Sequence, residues 1–139
     1  MYQHDHQIRV RYGETDQMGA VYHGFYALYY ETGRTEAIRH LGLTYKSLEA
    51  TGVLLPVGEL KSKFIRPAAY DDLLTVRTSI RDWPGKKITF HTEIFREEVL
   101  LNVGEVTLVF VDQATFRPCD PPSLFLEKIQ PFFENQQST

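Results

Sequence analysis

One carboxylate lies between a predicted strand and a predicted helix, where it could take part in chemistry. Asp16 belongs to a segment rich in turn formers, residues 13–19, and the helical pattern begins near His23. An ionised carboxylate can act as a nucleophile or a general base, and the free N–H groups at a helix start can stabilise developing negative charge. Asp in the first position and Gly19 in the fourth also suit a type I turn. The pattern alone leaves a catalytic and a purely structural role for Asp16 open.

The other residues that could do chemistry are weaker candidates. Glu31 is a rival acid on the predicted helix, but it lies three residues before Arg34, a spacing that favours a structural ion pair. The single cysteine, Cys119, lies in a proline-containing loop and is expected to be an unreactive thiol. His4 and His6 could share a strand face, but no third or fourth ligand accompanies them, so we expect no metal site and no cofactor.

Hydrophobic periodicity predicts the elements that would hold these residues. Apolar and polar residues alternate from His6 to Tyr12, which indicates a half-buried strand. After the turn a helix is predicted from about residue 23 to 40, with Gly42 as its stop signal. One stripe of this helix comprises Tyr22, Tyr26, Tyr30, Gly33, Ala37 and Leu41. Residues 25–30 are apolar or aromatic almost all round, so the helix must be surrounded by protein.

The remainder predicts a sheet with short helices beside it. A short helix is expected at about residues 44–50 and a terminal one from Ser123, as its N-cap, to Phe133. Strands are predicted at Val53 to Ile65, Leu73 to Trp83, Ile88 to Phe95 and Val99 to Val111. The main order is β-α-β-β-β-β, and turns such as 84–87 join successive strands. Hairpins give an antiparallel sheet, and the long helix has to cover one face of it, so the fold class is α+β.

Length and composition fit one globular domain over residues 1–139. The chain is 42% hydrophobic and 24% charged, with a net charge of −3 that argues against a nucleic-acid surface. No apolar run is long enough for a membrane span, and the first residues lack the features of a signal peptide. We therefore expect a cytoplasmic protein.

Two blocks of the sequence resemble the 4-hydroxybenzoyl-CoA thioesterase family, including its YbgC-like branch. The first runs from Tyr12 to Tyr26 and continues with Tyr30, Glu31 and Arg34. The second is residues 64–73, with the sequence FIRPAAYDDL. Together with the element order, the likeness covers about residues 8–112. It implies a hotdog fold, in which an antiparallel sheet wraps a long central helix, and a homodimer or homotetramer with active sites at the subunit junction.

The resemblance also implies roles for individual residues. Asp16 matches the catalytic aspartate of the family, which attacks directly or activates water, and His23 matches the position whose backbone N–H polarises the thioester carbonyl. Gly19, Tyr22, Gly24 and Tyr26 would shape the substrate site, and Lys86 and Lys87 match a basic turn that contacts the nucleotide end of CoA in some relatives. The expected substrate is an acyl-CoA or an acyl carrier protein thioester. Phe25 departs from the small polar residue common in relatives, which bears on acyl specificity.

Two other functions stay open at this stage. A hotdog protein can instead dehydrate or hydrate an acyl thioester, because a fold does not determine a reaction. A pocket can also bind acyl-CoA or acyl carrier protein without turnover. The Asp16 block resembles the hydrolases, and release of free thiol from acyl-CoA distinguishes the three functions.

Overall fold

The computed structural model describes residues 1–134 of the chain. Its strands are β1 (Tyr2–Arg9), β2 (Val53–Leu54), β3 (Val57–Phe64), β4 (Leu73–Ile80), β5 (Lys87–Arg96), β6 (Val99–Val109) and β7 (Val111–Asp112). Its helices are α1 (Phe25–His40), α2 (Tyr45–Glu49) and α3 (Ser123–Ile129), with 3₁₀ turns at Tyr12–Glu14 and Gln130–Phe132. The five long strands and the long helix follow one another in the predicted order.

All pairs in the main sheet are antiparallel, and the strand order is β1-β4-β5-β6-β3. The pairs β4–β5 and β5–β6 are hairpins, as predicted. The connection from β3 to β4 is not a hairpin, because residues 65–72 cross from one side of the sheet to the other. The small β2–β7 pair arises where the chain breaks at Pro56 and again after Val109.

Helix α1 lies directly on the inner face of the sheet. Gly33 makes this possible, since a Cβ there would lie 2.5 Å from Val76 Cγ1. A Cβ on Gly104 would lie 2.3 Å from the ring of Tyr30, which is fully buried and donates a hydrogen bond to Asn102. The predicted stripe of the helix is therefore confirmed from Tyr26 onward, and two glycines set how closely the layers approach.

Several predicted boundaries were wrong, each for a local reason. Strand β1 begins earlier, at Tyr2, and ends at Arg9, because the Val10 N–H bonds to Asp72 and the chain then turns into a 3₁₀ helix. Strand β4 ends at Ile80 rather than at residue 83, so the connection to β5 is longer than a four-residue turn. The N-cap of α3 is Pro122, not Ser123, and the segment after Ile129 is 3₁₀.

Strand β3 is an edge strand with an exposed apolar side. Val57 is 54% exposed, Leu60 44% and Phe64 55%, and on the outer face of α1 Leu28 is 52% exposed. Within residues 1–134 β3 pairs only with β6, so its second row of backbone groups is open. None of the described helices is long and apolar enough to cross a membrane.

Candidate active site

Asp16 lies at the tip of a narrow loop between the first 3₁₀ turn and α1. Its backbone N–H donates to the Ala20 carbonyl at 2.8 Å, and Thr15 bridges Val21, so the loop is a miniature antiparallel ladder. The Gly19 N–H donates to the Asp16 carbonyl at 3.0 Å, and Gly19 has φ +78°. The turn predicted from the pattern is thus formed, and glycine is needed at its fourth position.

The turn engages one of the two carboxylate oxygens of Asp16. Its Oδ1 accepts the Met18 N–H at 2.8 Å and the Ala20 N–H at 3.3 Å. Among residues 1–134 no donor contacts Oδ2. The side chain is half-buried and lines a recess of about 670 Å³ together with Tyr12, Thr15, Gln17, Gly19 and Tyr70. One oxygen therefore holds the loop and the other is available for chemistry.

His23 lies just before α1 and not in its first turn as expected. The helix begins at Phe25 with Gly24 as its N-cap, because the Phe25 N–H turns back to the Tyr22 carbonyl at 2.9 Å. Within the described part of the chain, the N–H groups of His23 and Gly24 donate to no protein acceptor. Both residues are exposed, so two backbone donors are available at the positive end of α1.

A groove of about 210 Å³ opens beside this helix start, and we call it the Tyr26 groove. It is lined by Val21, His23, Tyr26, Phe64, Ile65, Arg66 and Pro67. Tyr26 is buried and meets Phe64 edge-on with ring centroids 5.3 Å apart. Burial raises the pKa of Tyr26, so its hydroxyl stays neutral. The groove is thus an apolar slot with a cation, Arg66, at its rim.

Tyr22 and Gly24 form the outer wall of the helix start. The Tyr22 ring lies 4.2 Å from that of His23, between centroids, and is 47% exposed. A Cβ on Gly24 would lie 2.8 Å from the Tyr22 ring, so Gly24 permits this close approach. Tyr22 therefore stands outside α1, unlike the prediction that it continues the helical stripe.

The structure does not bring all the predicted site residues together within one chain. Asp16 and His23 share a loop but line separate cavities. Lys86 and Lys87 are exposed and lie beyond the far end of β4, whereas the Asp16 loop packs near residues 68–72 at its start. Eight strand residues separate the two places, roughly 26 Å at 3.3 Å per residue.

The predicted Glu31–Arg34 ion pair is wrong. Arg34 is buried; its Nε donates to the Tyr45 hydroxyl at 2.8 Å, and its guanidinium lies 6.0 Å from the centroid of the Phe90 ring. Glu31 is exposed on α1 and forms no salt bridge within residues 1–134. Glu31 lines a cavity of about 580 Å³ together with Glu14 and Tyr29, but it does not belong to the loop that holds Asp16 and the helix start, so it stays behind Asp16 as a catalytic candidate.

The remaining titratable residues lie away from these cavities. Burial, Asp112 and Asp120 raise the pKa of the Cys119 thiol, which makes it a poor nucleophile. The rings of His4 and His40 lie 4.7 Å apart, and burial together with His40 and His6 lowers the pKa of His4. No group of three or more His, Cys, Asp or Glu side chains in the described residues is arranged to hold a metal ion.

Sequence reasoning missed three residues of this region. Arg66 reaches the Tyr26 groove, and it could have been noticed because it stands in the second family-like block. Glu14 and Tyr29 are buried and joined by a hydrogen bond of 2.9 Å beneath the Asp16 loop. The three-residue spacing of Arg11 and Glu14 signals only their own contact, and the sequence carries no signal for the contact of Glu14 with Tyr29.

Comparison with known proteins gives a consistent assignment. Residues 10–129 match the model of the thioesterase-like superfamily. The acyl-CoA thioester hydrolase YbgC of Escherichia coli O6:H1 is 37% identical to this chain, over 80% of this chain and 84% of its own length. The acyl-CoA thioesterase YbgC of Haemophilus influenzae is 33% identical, over 80% of this chain and 82% of its own length. A crystal structure of DHNA-CoA thioesterase from Staphylococcus aureus superposes with a TM-score of 0.81 at 29% identity, covering 99% of this chain and 90% of that one. The predicted hotdog fold is confirmed by these structural neighbours.

Proposed function

Because the chain belongs to the thioesterase-like superfamily, we propose that it hydrolyses an acyl-CoA thioester to a free acid and CoA. One structural observation carries the proposal: an aspartate with a free carboxylate oxygen and a helix start with two free N–H groups belong to the same short loop. Thioester hydrolysis needs a nucleophile or base and an oxyanion donor, and the loop holds both.

In the general-base route, Asp16 Oδ2 takes a proton from water as the water oxygen bonds to the thioester carbon. The carbonyl oxygen becomes an oxyanion that accepts the N–H groups of His23 and Gly24. The C–S bond then breaks, and the departing sulfur receives the proton. In the nucleophilic route, Oδ2 itself bonds to the carbon, CoA leaves, and water hydrolyses the resulting anhydride. Both routes use the same free oxygen.

The helix start supplies the oxyanion donors through its backbone. The N–H groups of His23 and Gly24, which have no protein acceptor among residues 1–134, lie at the positive end of a 16-residue helix, where negative charge is stabilised. The His23 imidazole is exposed and packs on Tyr22, so its role is secondary to that of its N–H. A change of the His23 side chain should therefore cost less activity than a change of Asp16.

The acyl group would lie in the Tyr26 groove. The walls supplied by Tyr26 and Phe64 are aromatic. Gly19 and Gly24 have no side chain, so they would let the substrate approach the loop backbone closely. Phe64 is 55% exposed and sits at the end of the open edge strand. The groove is therefore incomplete in a single subunit, and a second copy would deepen it.

A twofold dimer built through β3 accounts for both the open edge and the lysine pair. Two β3 strands that pair antiparallel across a symmetry axis would place the start of one beside the end of the other. Lys87 on β5 pairs with Val109 on β6, and β6 lies between β5 and the start of β3. Phe64 is the last residue of β3. Lys86 and Lys87 of one subunit would thus lie beside the Tyr26 groove of its partner, where CoA phosphates would approach.

A thiol-release screen tests the proposal. The purified protein is mixed with short, branched, long and aromatic acyl-CoAs and with acyl carrier protein thioesters, and kcat/KM is measured for each. We expect turnover of at least one acyl-CoA and its loss in Asp16→Asn. Binding without thiol release would instead indicate a binding module, and an altered acyl chain still joined to CoA would indicate a hydratase or dehydratase.

A further inference from the structure

A buried carboxylate beneath the site loop plays no part in the chemistry described above. Glu14 is 8% exposed and ends the 3₁₀ turn two residues before Asp16. Its Oε1 accepts the Arg11 N–H and the Tyr29 hydroxyl, both at 2.9 Å, and its Oε2 accepts Arg11 Nε at 3.2 Å. Both carboxylate oxygens thus accept hydrogen bonds from protein donors, which fixes the side chain in place.

These contacts join the loop to the helix. Tyr29 is buried on the second turn of α1, and its ring meets that of Tyr26 edge-on at 5.8 Å. The hydrogen bond from Tyr29 therefore ties the start of the loop to the second turn of α1, next to the first turn, which carries Tyr26 and so a wall of the Tyr26 groove.

The backbone of Glu14 holds the other side of the same loop. Its carbonyl accepts the Tyr22 N–H at 2.9 Å, and Tyr22 directly precedes His23. Glu14 thus links three parts of this region. It precedes Asp16 by two residues, and its carbonyl bonds to Tyr22, just before His23. Its side chain bonds to Tyr29 on α1.

The charges favour an ionised Glu14 and a neutral Tyr29. Burial by itself raises the pKa of Glu14, but the hydrogen bonds from Arg11 and Tyr29 outweigh it, and the pKa lies below its ordinary value. Burial, reinforced by Glu14, raises the pKa of Tyr29. The contact is therefore a neutral hydroxyl donating to a carboxylate, which is among the stronger hydrogen bonds in proteins.

We propose that Glu14, held by Tyr29, is a positioning residue that fixes Asp16 relative to the N–H groups of His23 and Gly24. This role rests on the proposed thioesterase function. Misplacement of reacting groups by about 1 Å can cost on the order of a hundredfold in rate, so loss of the contact should lower kcat without removing any group that touches the substrate.

The chain offers a matched control for the decisive variant. Tyr2 is also a buried tyrosine, and its hydroxyl donates to the Ala37 carbonyl on the same helix, three turns from Tyr26. Tyr2→Phe and Tyr29→Phe each remove one buried hydroxyl whose hydrogen bond joins α1 to another segment of the chain. We expect similar losses of thermal stability from both, because each removes one buried hydrogen bond.

Steady-state kinetics with the best acyl-CoA then separate positioning from stability. Tyr29→Phe should lower kcat by about tenfold and change KM less than about twofold, whereas Tyr2→Phe should leave both constants within about twofold of the parent. Glu14→Gln keeps an acceptor for the Arg11 and Tyr29 donors and should retain more kcat than Glu14→Ala, which removes it.

Equal kcat values for Tyr29→Phe and Tyr2→Phe, or equal losses in Glu14→Gln and Glu14→Ala, would overturn the positioning role while leaving the thioesterase function intact. Absence of thiol release by the parent protein would overturn both. The kcat comparison is made at a temperature at which all four variants and the parent have native circular dichroism, so that partial unfolding does not imitate the effect.

Discussion

Replacement of Asp16 by Asn should separate the proposed catalytic role from folding, because the turn engages Oδ1 whereas the proposed chemistry uses Oδ2. Oδ1 accepts the Met18 and Ala20 N–H groups, and an Asn carbonyl oxygen can accept both. The turn should therefore persist, and the free energy of unfolding should fall by less than about 1 kcal/mol, because the side chain is only half-buried. Asp16→Ala, by contrast, removes both bonds and should cost up to about 2 kcal/mol.

The kinetic cost of Asp16→Asn should be larger. An amide cannot take a proton from water or form an anhydride, and loss of a general base or nucleophile costs on the order of a hundredfold or more. A hundredfold loss corresponds to about 2.7 kcal/mol of transition-state stabilisation, since each tenfold change is about 1.4 kcal/mol. The effect on kcat/KM thus exceeds the effect on stability several times over.

The assay measures thiol release and thermal unfolding on the same preparations. Asp112→Asn is the matched control, because Asp112 Oδ1 likewise accepts two backbone N–H groups, from Ala114 at 2.8 Å and Thr115 at 3.1 Å, and Asp112 ends β7 and does not line the Tyr26 groove. It should leave activity within about twofold. If Asp16→Asn hydrolyses the best thioester within a few-fold of the parent rate, Asp16 is not the catalytic carboxylate and Glu31 becomes the residue to test.

Three further outcomes are expected. Changing Lys86 and Lys87 together to Ala should raise KM for acyl-CoA more than it lowers kcat. The effect should shrink at high salt because exposed charges are screened. An unchanged KM at low salt would contradict their role in CoA binding. Leu60→Lys on the open edge of β3 should shift sedimentation towards monomer, whereas a purely monomeric parent at micromolar concentration would contradict the dimer. The lowered pKa of His4 means that the unfolded chain binds the proton more tightly, so thermal stability should fall as pH drops below about 6.5, and His4→Gln should reduce that fall.

The sequence predicted the fold well where one periodicity dominates. Helix α1 was found because Tyr26, Tyr30, Gly33 and Ala37 repeat at helical spacing, and the hairpin strands were found because apolar residues alternate. Pairing between distant segments was not predictable in this way. The contact of β3 with β6 depends on which sheet edge residues 65–72 cross to, and the local pattern of neither strand records it.

The site was predicted through resemblance more than through pattern. Periodicity and turn preference found a turn at Asp16 and a helix start near His23, but neither indicates a reaction. The contacts of Glu14 and Tyr29 were not foreseen, because an acid in a turn and an aromatic residue on a helix carry no signal that they meet. The Glu31–Arg34 pair shows the opposite error. The spacing suited an ion pair, but Arg34 donates to the Tyr45 hydroxyl instead.

The structural role of Asp16 is compatible with its proposed catalytic role, and the geometry of the turn explains why. An Asx-type turn fixes the side chain by engaging one carboxylate oxygen with nearby N–H groups, as Met18 and Ala20 do for Oδ1. The second oxygen is then held at a fixed angle but left without a protein donor among residues 1–134. A base or nucleophile benefits from both properties, because orientation is set before substrate binds and the reacting oxygen needs no bond broken. A sequence pattern that suits a plain turn is therefore also one that can present a carboxylate to a thioester.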